Sequence, residues 1–395
     1  MTRESQARNY RPSLDANDTS LAGHPRPAYE RLRASATVQN GAVIVSARRE
    51  VEEVLREAET YSAASTPRLG DTRPLRPLEL DPPAHTAFRA ALDPLLAPAR
   101  VVDLAKMITC VAGELIDSFI DETEIDFSLR FSVPFPAQVL MTLLGLPLDD
   151  LAWLLDLKDG VIRPNRALGK PMDDPEVIAY RATMTAAAYD YFGDALDWRE
   201  QDRTDDLLGD LLEVEVDGER LDRQQLLDVC MCLLIEGIDP MSAALDCFFA
   251  FLAEHPKLRA QVIANPRTGL EELLRWETPM MFATRTATRD TSLGGCPVSA
   301  GQRVFAFLSA ANLDAAEFPD AEEFQPHRKV NRHLSFGAGN HRCLGSHLAR
   351  MQLSIALREW HARIPDYSVG RPADLRFMAG VRALEQFPMR LGRSV

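Results

Sequence analysis

The chain has 395 residues, 46% hydrophobic and 26% charged, a composition typical of globular and not of disordered proteins. Its formal net charge of -14 excludes nucleic acid as a main partner, because phosphate binding requires a basic surface. The first 20 residues are polar, and no later segment approaches the roughly 20 apolar residues that span a bilayer, so we expect a cytoplasmic protein with no membrane partner.

The first elements are short, and residues 1–20 are expected to form a partly disordered tail. Gly41 follows an asparagine between two valine-rich runs, which predicts a β-hairpin within 35–47 and a helix after it near 51–58. Residues 62–80 contain three prolines and no apolar period, which predicts a loop. Helical spacing resumes at Pro83.

Most of the middle of the chain has helical spacing. It covers 99–120 and 133–145, and two more helices are expected in 148–200 around a proline and glycine break. A small hairpin is predicted within 214–222. The longest apolar helix is predicted over 222–254, and its apolar residues on most sides indicate that it is buried.

The last third mixes elements: a strand at 304–308, an acidic stretch rich in proline, a glycine-rich loop and a helix at 344–361. The pattern contains no repeat and no low-complexity linker. It therefore predicts a single mainly α (α+β) domain over 1–395, helix-rich, with a smaller β-rich part.

The glycine-rich loop SFGAGNHRCLG, which ends at Gly345, is the most informative segment. Gly337 and Gly345 allow positive φ angles and a close approach of the backbone to a flat cofactor. Cys343 falls just before a helix, whose free amide groups are expected to lower the pKa of the thiol. The other five cysteines form neither a disulfide framework nor a zinc site, and they are expected to be ordinary thiols.

Together with Phe336, this loop matches the haem-binding signature of the cytochrome P450 family at every defined position, and the chain resembles that family. The resemblance implies the cytochrome P450 fold and a haem b (iron protoporphyrin IX) whose iron is ligated by the Cys343 thiolate. Such a ligand donates electron density and favours O–O cleavage. The implied activity is that of a monooxygenase, supplied with electrons by a ferredoxin and a ferredoxin reductase, in a monomer.

Further motifs of the same family are present. Glu272 and Arg275 resemble its E-x-x-R, and Arg328 resembles the arginine of its F-x-P-x-R; the implied role is a buried structural network. Four residues resemble partners of the haem propionates, anionic groups that require Arg or His donors. They are His85, Arg89, Arg285 and His341.

The long helix departs from the family pattern Ala-Gly-x-Asp/Glu-Thr. Gly237 and Asp239 keep the register of the family pattern. Gly237 is expected to let haem and oxygen approach the backbone, and Asp239 is expected to relay protons. Glu236 stands in the alanine position, and Pro240 replaces the threonine whose hydroxyl normally helps to deliver protons.

Three oxidative reactions therefore remain open. The first is a monooxygenase reaction in which a substrate hydroxyl, ordered water, Glu236 or Asp239 supplies the proton. The second uses peroxide, although the peroxygenase branch with proline here carries arginine where this chain has Asp239. The third is radical coupling or desaturation. A fourth alternative, of another class, is a haem-thiolate binding or sensor protein without turnover.

The substrate is expected to be a mid-sized apolar or aromatic molecule, such as a secondary metabolite or terpenoid. The resemblance places adaptable apolar side chains around it. These are Ile235, Met241, Met281, Phe282, Phe377 and Met378.

Two groups of basic residues complete the predictions. Arg68, Arg73 and Arg76 lie in the predicted loop and are expected to be solvated. Residues 326–350 carry five basic side chains, Arg328, Lys329, Arg332, Arg342 and Arg350, and no acid. This segment is expected to dock an acidic ferredoxin.

Overall fold

The computed structural model describes residues 36–39, 41–64, 74–370, 375, 377–378 and 381–392, together with Arg26 and Tyr29. The predicted tail at 1–20 lies outside the described residues, as do Arg68 and Arg73. None of the described helices has the length and apolarity needed to cross a membrane.

Helices make up most of the described chain, which confirms the predicted mainly α class. In chain order they are α1 (Arg48–Arg56), α2 (Ala84–Leu92), α3 (Pro98–Asp103), α4 (Ala105–Asp117), α5 (Pro134–Leu144), α6 (Leu151–Ile162), α7 (Pro164–Leu168), α8 (Pro175–Gln201), α9 (Leu207–Leu211), α10 (Arg223–Glu254), α11 (Pro256–Ala264), α12 (Pro266–Glu277), α13 (Leu308–Ala311) and α14 (Ser346–Arg363). A π-helical turn, Ser128–Ser132, precedes α5.

Two segments hold more helices than predicted. Residues 99–120 are divided into α3 and α4 at Leu104. Residues 148–200 contain three helices, because Pro164 and Pro175 each begin a new one at a position where the missing N–H costs nothing. Gly169 ends α7 in the left-handed conformation, with φ 64°.

The α10 helix confirms the predicted long buried helix. At its first turn the Asp222 side chain accepts a hydrogen bond from the Gln225 N–H, and the Gln225 side chain accepts one from the Asp222 N–H, both at 2.8 Å. This reciprocal capping box satisfies two of the amides that a helix start leaves free. The helix continues through Pro240 without a break.

The strands are β1 (Thr37–Gln39), β2 (Ala42–Val45), β3 (Tyr61–Ser62), β4 (Glu124–Asp126), β5 (Glu215–Val216), β6 (Glu219–Arg220), β7 (Ala283–Ala287), β8 (Thr291–Leu293), β9 (Cys296–Val298), β10 (Arg303–Ala306), β11 (Tyr367–Val369) and β12 (Pro388–Leu391). The largest sheet has the order β1-β2-β10-β7-β3, and β11-β12-β4 form a second. The predicted hairpins are confirmed as β1-β2 and β5-β6, with Gly41 at φ 78° in the first turn.

An aromatic cluster joins α10 to α14. Trp360 of α14 is fully buried, and its ring centroid lies 5.0 Å from that of Phe127, 5.2 Å from that of Phe131 and 5.2 Å from that of Phe249 in α10. All three pairs meet edge to face, a favoured geometry for aromatic rings. This packing fixes the two helices that frame the site described below.

A buried acid connects α10 to the C-terminal segment. The Asp246 carboxylate accepts hydrogen bonds from the hydroxyls of Ser132 (2.5 Å) and Ser128 (3.0 Å), and from the Leu384 N–H (3.0 Å). Burial raises the pKa of Asp246 to about 7, and these three donors only partly offset that effect. Between pH 4 and pH 7 the folded chain therefore holds a proton here that the unfolded chain has released.

Asp246 should make the protein less stable as the pH rises from 4 to 7, by an amount on the order of a few kcal/mol. We expect Asp246→Asn, which cannot release this proton, to remove that part of the pH dependence. The measurement is the thermal unfolding midpoint of both proteins across pH 4 to 8. The exposed control Asp202→Asn should leave the slope unchanged, and equal slopes for wild type and Asp246→Asn would contradict the assignment.

Candidate active site

The loop that carries Cys343 depends on two glycines in the left-handed conformation. Gly337 has φ 68° and Gly339 has φ 67°, and a Cβ on Gly339 would lie 2.3 Å from the Leu55 carbonyl oxygen of α1. Glycine is therefore required at 339 both for conformation and for space. Gly345 has φ -81°, so the expectation of a positive φ does not hold there.

The Cys343 thiol lies at an exposed position between this loop and α14. Its N–H donates to the Phe336 carbonyl at 2.8 Å, which fixes the backbone beneath the sulfur. Although the thiol is accessible to solvent, the protein groups packed around it exclude part of its water, and this desolvation raises the pKa of Cys343 to about 11. The Glu236 charge adds to the rise, and the Gly345 N–H lowers the pKa only in part.

The expectation of a lowered thiol pKa is thus wrong for the protein by itself. The Gly345 N–H, just before the helix that begins at Ser346, lowers the pKa, but its effect is smaller than that of desolvation. A thiol in this setting becomes a thiolate when it coordinates a metal, since coordination itself removes the proton.

Asn312, which no sequence pattern indicated, holds the start of the loop. Its side-chain amide donates to the Ser335 hydroxyl at 3.0 Å and to the Thr278 hydroxyl at 2.8 Å, and its oxygen accepts the Leu334 N–H at 2.6 Å. Asn312 is fully buried. One side chain thus ties the loop to the end of α12.

The four predicted propionate partners converge although they come from three distant segments. The rings of His85 (α2) and His341 have centroids 4.0 Å apart. Arg89 donates to the carbonyl oxygens of Asn340 (3.1 Å) and Arg342 (2.8 Å), which ties α2 to the loop. Burial and the charge of Arg89 lower the pKa of His85 to about 4, and Arg285 of β7 contributes to the same shift.

These residues fit the haem that the resemblance implies. The Nδ1 atom of His85 is buried and has no hydrogen-bond partner among the described residues, so the structure leaves a polar atom there for a ligand. Two cations beside it suit an anionic group such as a propionate. A side chain on Gly345 would meet no atom of the described residues within 4 Å, so the backbone there leaves room for a flat group.

The predicted network of Glu272, Arg275 and Arg328 is assembled in the core. Arg275 binds both Glu272 oxygens, at 2.9 and 2.7 Å, and its remaining N–H groups donate to the carbonyls of Asn312, Ala321 and Glu323. Arg328 adds a bond to Glu272 at 3.1 Å. All five donors of the buried guanidinium are used, which offsets the cost of removing the charge from water.

Asp239 lies on the buried face of α10, held between Lys158 of α6 and Arg163, the residue that joins α6 to α7. Lys158 binds one oxygen at 2.7 Å and Arg163 binds the other. Burial alone would raise the pKa of Asp239, but the two cations outweigh it and hold the pKa below its ordinary value. Asp239 is therefore an ionised, clamped carboxylate.

Sequence reasoning did not identify these two cations, although a signal was present. Lys158 falls on the apolar face of α6 with Leu154 and Val161, so its burial could be read from the helical period. A buried lysine requires a nearby acid.

The other residues of this stretch of α10 differ in what they face. A Cβ on Gly237 would meet Leu140 of α5 at 3.3 Å, so the missing side chain serves the packing of α10 on α5. The Ser242 hydroxyl donates to the Ile238 carbonyl at 3.0 Å. It lies two residues beyond Pro240, about 200° further round the helix, so it is not a simple substitute for the expected threonine hydroxyl. Glu236 is exposed although its neighbours Ile235 and Ile238 are buried.

The predicted pocket residues divide into two groups. Ile235, Met241 and Met281 are buried within the core clusters, and Phe282 packs on Phe305 and Phe307. Phe377 and Met378 are partly exposed on the C-terminal segment, where Arg166 donates to the Met378 sulfur at 2.8 Å.

The predicted basic surface is smaller than the sequence suggested. Arg328 is buried in the Glu272 network, and Arg350 pairs with Glu271 through bonds of 2.6 and 3.0 Å. The exposed cations that remain are Lys329, Arg332 and Arg342.

Arg76 is also not a solvated side chain. It donates to the fully buried Asp228 of α10 at 2.7 Å, and Tyr189 of α8 donates to the other oxygen at 3.1 Å. A buried carboxylate needs such partners.

Comparison with known proteins adds independent information. The family model for Cytochrome P450 matches residues 267–359. The probable cytochrome P450 127A1 of Sinorhizobium fredii is 33% identical over 83% of this chain and 78% of the relative. The mycinamicin IV hydroxylase/epoxidase of Micromonospora griseorubida is 33% identical over 77% of this chain and 76% of the relative's chain. A solved structure of a P450 EryK mutant with erythromycin B has a TM-score of 0.84 at 27% identity, covering 94% of this chain and 98% of the other.

Proposed function

The chain belongs to the cytochrome P450 family of haem monooxygenases, and from that premise we propose that it oxidises a mid-sized apolar or aromatic metabolite with electrons from a ferredoxin and its reductase. The observation that carries the proposal is the convergence of the exposed Cys343 thiol with His85, Arg89, Arg285 and His341.

Each side chain has a proposed role toward haem b. Cys343 ligates the iron, and the His and Arg residues bind the propionates by charge-assisted hydrogen bonds. Phe336, Gly337 and Gly345 shape the loop beside the ring. Once bound, the haem supplies the activation of molecular oxygen.

The experiment that tests this function is spectroscopic. Purified protein should contain haem, and the reduced protein with carbon monoxide should show the red-shifted Soret band of thiolate ligation. A screen of apolar metabolites for displacement of the distal water should then identify substrates, and turnover with ferredoxin, reductase and NAD(P)H should yield an oxygenated product. Spectral binding without any product would favour the sensor alternative, and a protein without haem would contradict every role assigned above.

The substrate class is supported by the relatives. The name of one relative pairs it with mycinamicin IV, and the structural neighbour was solved with erythromycin B. Partly exposed Phe377 and Met378 offer this chain an adaptable apolar surface for such a compound. We therefore favour a product of secondary metabolism.

We propose Glu236 as the residue that passes protons to the reaction. Pro240 has no hydroxyl, the Ser242 hydroxyl bonds its own helix, and Asp239 is clamped as an anion by Lys158 and Arg163. The Glu236 carboxylate is exposed, and its charge acts on the Cys343 sulfur. This exposure supports a role for Glu236 in exchanging protons with water.

Pro240→Thr is expected to change the fraction of reductant converted to product, because it restores a hydroxyl one residue beyond Asp239. Glu236→Gln should lower that fraction several-fold, and the double variant should recover part of it. The measurement is NAD(P)H consumed, product formed and peroxide released per turnover. Unchanged coupling in all three variants would show that protons arrive elsewhere, and efficient turnover with peroxide alone would favour the peroxygenase alternative.

The electron donor is proposed to dock on the exposed cations Lys329, Arg332 and Arg342. Arg342 adjoins Cys343 in the chain, and its carbonyl binds Arg89. In a chain of net charge -14, such a local basic surface attracts an acidic iron–sulfur protein.

Reversing two of these charges, in Lys329→Glu/Arg332→Glu, should slow reduction by ferredoxin by about tenfold or more at low salt. The effect should shrink as salt rises, because exposed charges are screened. Stopped-flow reduction under carbon monoxide measures the rate. The matched control Lys257→Glu, an exposed charge at the start of α11, should have little effect, and equal rates in all three proteins would contradict the docking site.

A further inference from the structure

Glu271 precedes Glu272 in α12, but its side chain does not belong to the Glu272 network. It contacts residues that flank the cysteine loop, the segment from Ser335 to Gly345 that carries Cys343. Its carboxylate accepts two hydrogen bonds from Arg350 of α14, at 2.6 and 3.0 Å, in the two-pronged geometry that makes such pairs strong. It also binds His333 Nε2 at 2.9 Å. The three side chains join α12, the start of the loop and α14.

The protonation states in this group follow from its hydrogen bonds. The Ser335 N–H donates to His333 Nδ1 at 3.3 Å, so Nδ1 is an acceptor and Nε2 carries the hydrogen given to Glu271. Burial lowers the pKa of His333, which therefore stays neutral. Burial would raise the pKa of Glu271, but His333 and Arg350 outweigh it and hold the pKa at about 2. One anion thus balances one cation.

The group reaches Cys343 through Phe336. The Arg350 guanidinium lies 4.4 Å from the centroid of the Phe336 ring, and the His333 ring lies 5.9 Å from it. The Phe336 carbonyl accepts the Cys343 N–H at 2.8 Å. Glu271 fixes Arg350, Arg350 stacks on Phe336, and Phe336 fixes the backbone of the ligand.

We propose that Glu271, His333 and Arg350 are positioning residues that set the reduction potential of the haem by balancing one charge beside the cysteine loop and by holding Phe336, whose carbonyl accepts the Cys343 N–H. This rests on the proposed haem-thiolate function but not on any substrate. Reduction adds an electron to the haem, so a nearby cation favours the reduced form and a nearby anion disfavours it. Because Glu271 and Arg350 carry one charge of each sign, their effects on the reduction potential offset each other.

The test is the midpoint potential of the substrate-free holoenzyme. Glu271→Gln leaves the Arg350 charge unbalanced and should raise the potential, whereas Arg350→Gln leaves Glu271 unbalanced and should lower it. We expect each change to alter the equilibrium constant for reduction by up to about tenfold, which is 59 mV for one electron. The double variant should return towards wild type, and Arg358→Gln, an exposed charge on the same helix, should not shift the potential.

The outcomes separate this inference from the proposed function. Shifts in the same direction, or none, with the thiolate Soret band intact would overturn it. Arg350→Lys keeps the charge but not the flat group that stacks on Phe336, and it is the variant to measure if Arg350→Gln binds no haem. A wild-type potential in Arg350→Lys would then support the charge balance. A loss of haem equal to that of Arg350→Gln would overturn it. A wild-type protein without a thiolate band would instead overturn the haem-thiolate function.

Discussion

Replacing Cys343 with alanine is expected to abolish the red-shifted Soret band of the reduced carbon monoxide complex and to reduce monooxygenase activity to background. The sulfur is the proposed iron ligand, and a methyl group cannot donate electron density to the metal. His85, Arg89, Arg285 and His341 remain in the variant, so we expect part of the haem to be retained. The measurements are haem content, the difference spectrum and product formation.

Cys110→Ala is the matched control, since Cys110 is also exposed but lies in α4, where its thiol bonds Glu114 at 3.1 Å. It should keep the spectrum and the activity of the wild type. A thiolate band that survived in Cys343→Ala, or that disappeared in Cys110→Ala, would show that the iron ligand has been assigned to the wrong cysteine.

Arg275→Met is expected to lower the free energy of unfolding by about 3–5 kcal/mol, the usual cost of breaking a buried ion pair. The side chain is fully buried, and its loss leaves Glu272 with less positive charge and leaves the carbonyl oxygens of Asn312 and Ala321 without this donor. The Glu323 carbonyl keeps only its bond from Arg328. In a chain of this size the thermal midpoint should fall by about 4–6 °C. Arg275→Lys should also destabilise, because an ammonium group lacks the planar fork that serves all five partners.

The comparison for this prediction is Arg220→Met, which breaks an exposed pair with Glu213. Its cost should be below about 1 kcal/mol, since exposed pairs are screened by water and salt. The free energy of unfolding of Arg275→Met, Arg275→Lys, Arg220→Met and the wild type is measured by thermal and denaturant unfolding, with the haem content of each protein recorded. Equal stabilities for the Arg220 and Arg275 variants would contradict the buried-network interpretation.

The sequence by itself was sufficient for the local features. The helix over 222–254, the two hairpins and the loop around Cys343 follow from apolar period, turn residues and glycine spacing, all of which act over a few residues. The resemblance to the cytochrome P450 family also assigned residues far apart in the chain, such as His85 and His341, to one site. His85 and His341 are not neighbours in any pattern that the chain shows by itself.

Only the tertiary structure determined the pKa values of the buried groups and the partners of the charged side chains. A pKa depends on burial and on partners from other elements, so the rise at Cys343 and at Asp246 could not be read from neighbouring residues. The same holds for Arg350, a basic residue in sequence that the fold places against Glu271. The loop that carries Cys343 is thus a local pattern, whereas the electrostatic setting of its sulfur arises from helices that meet only on folding.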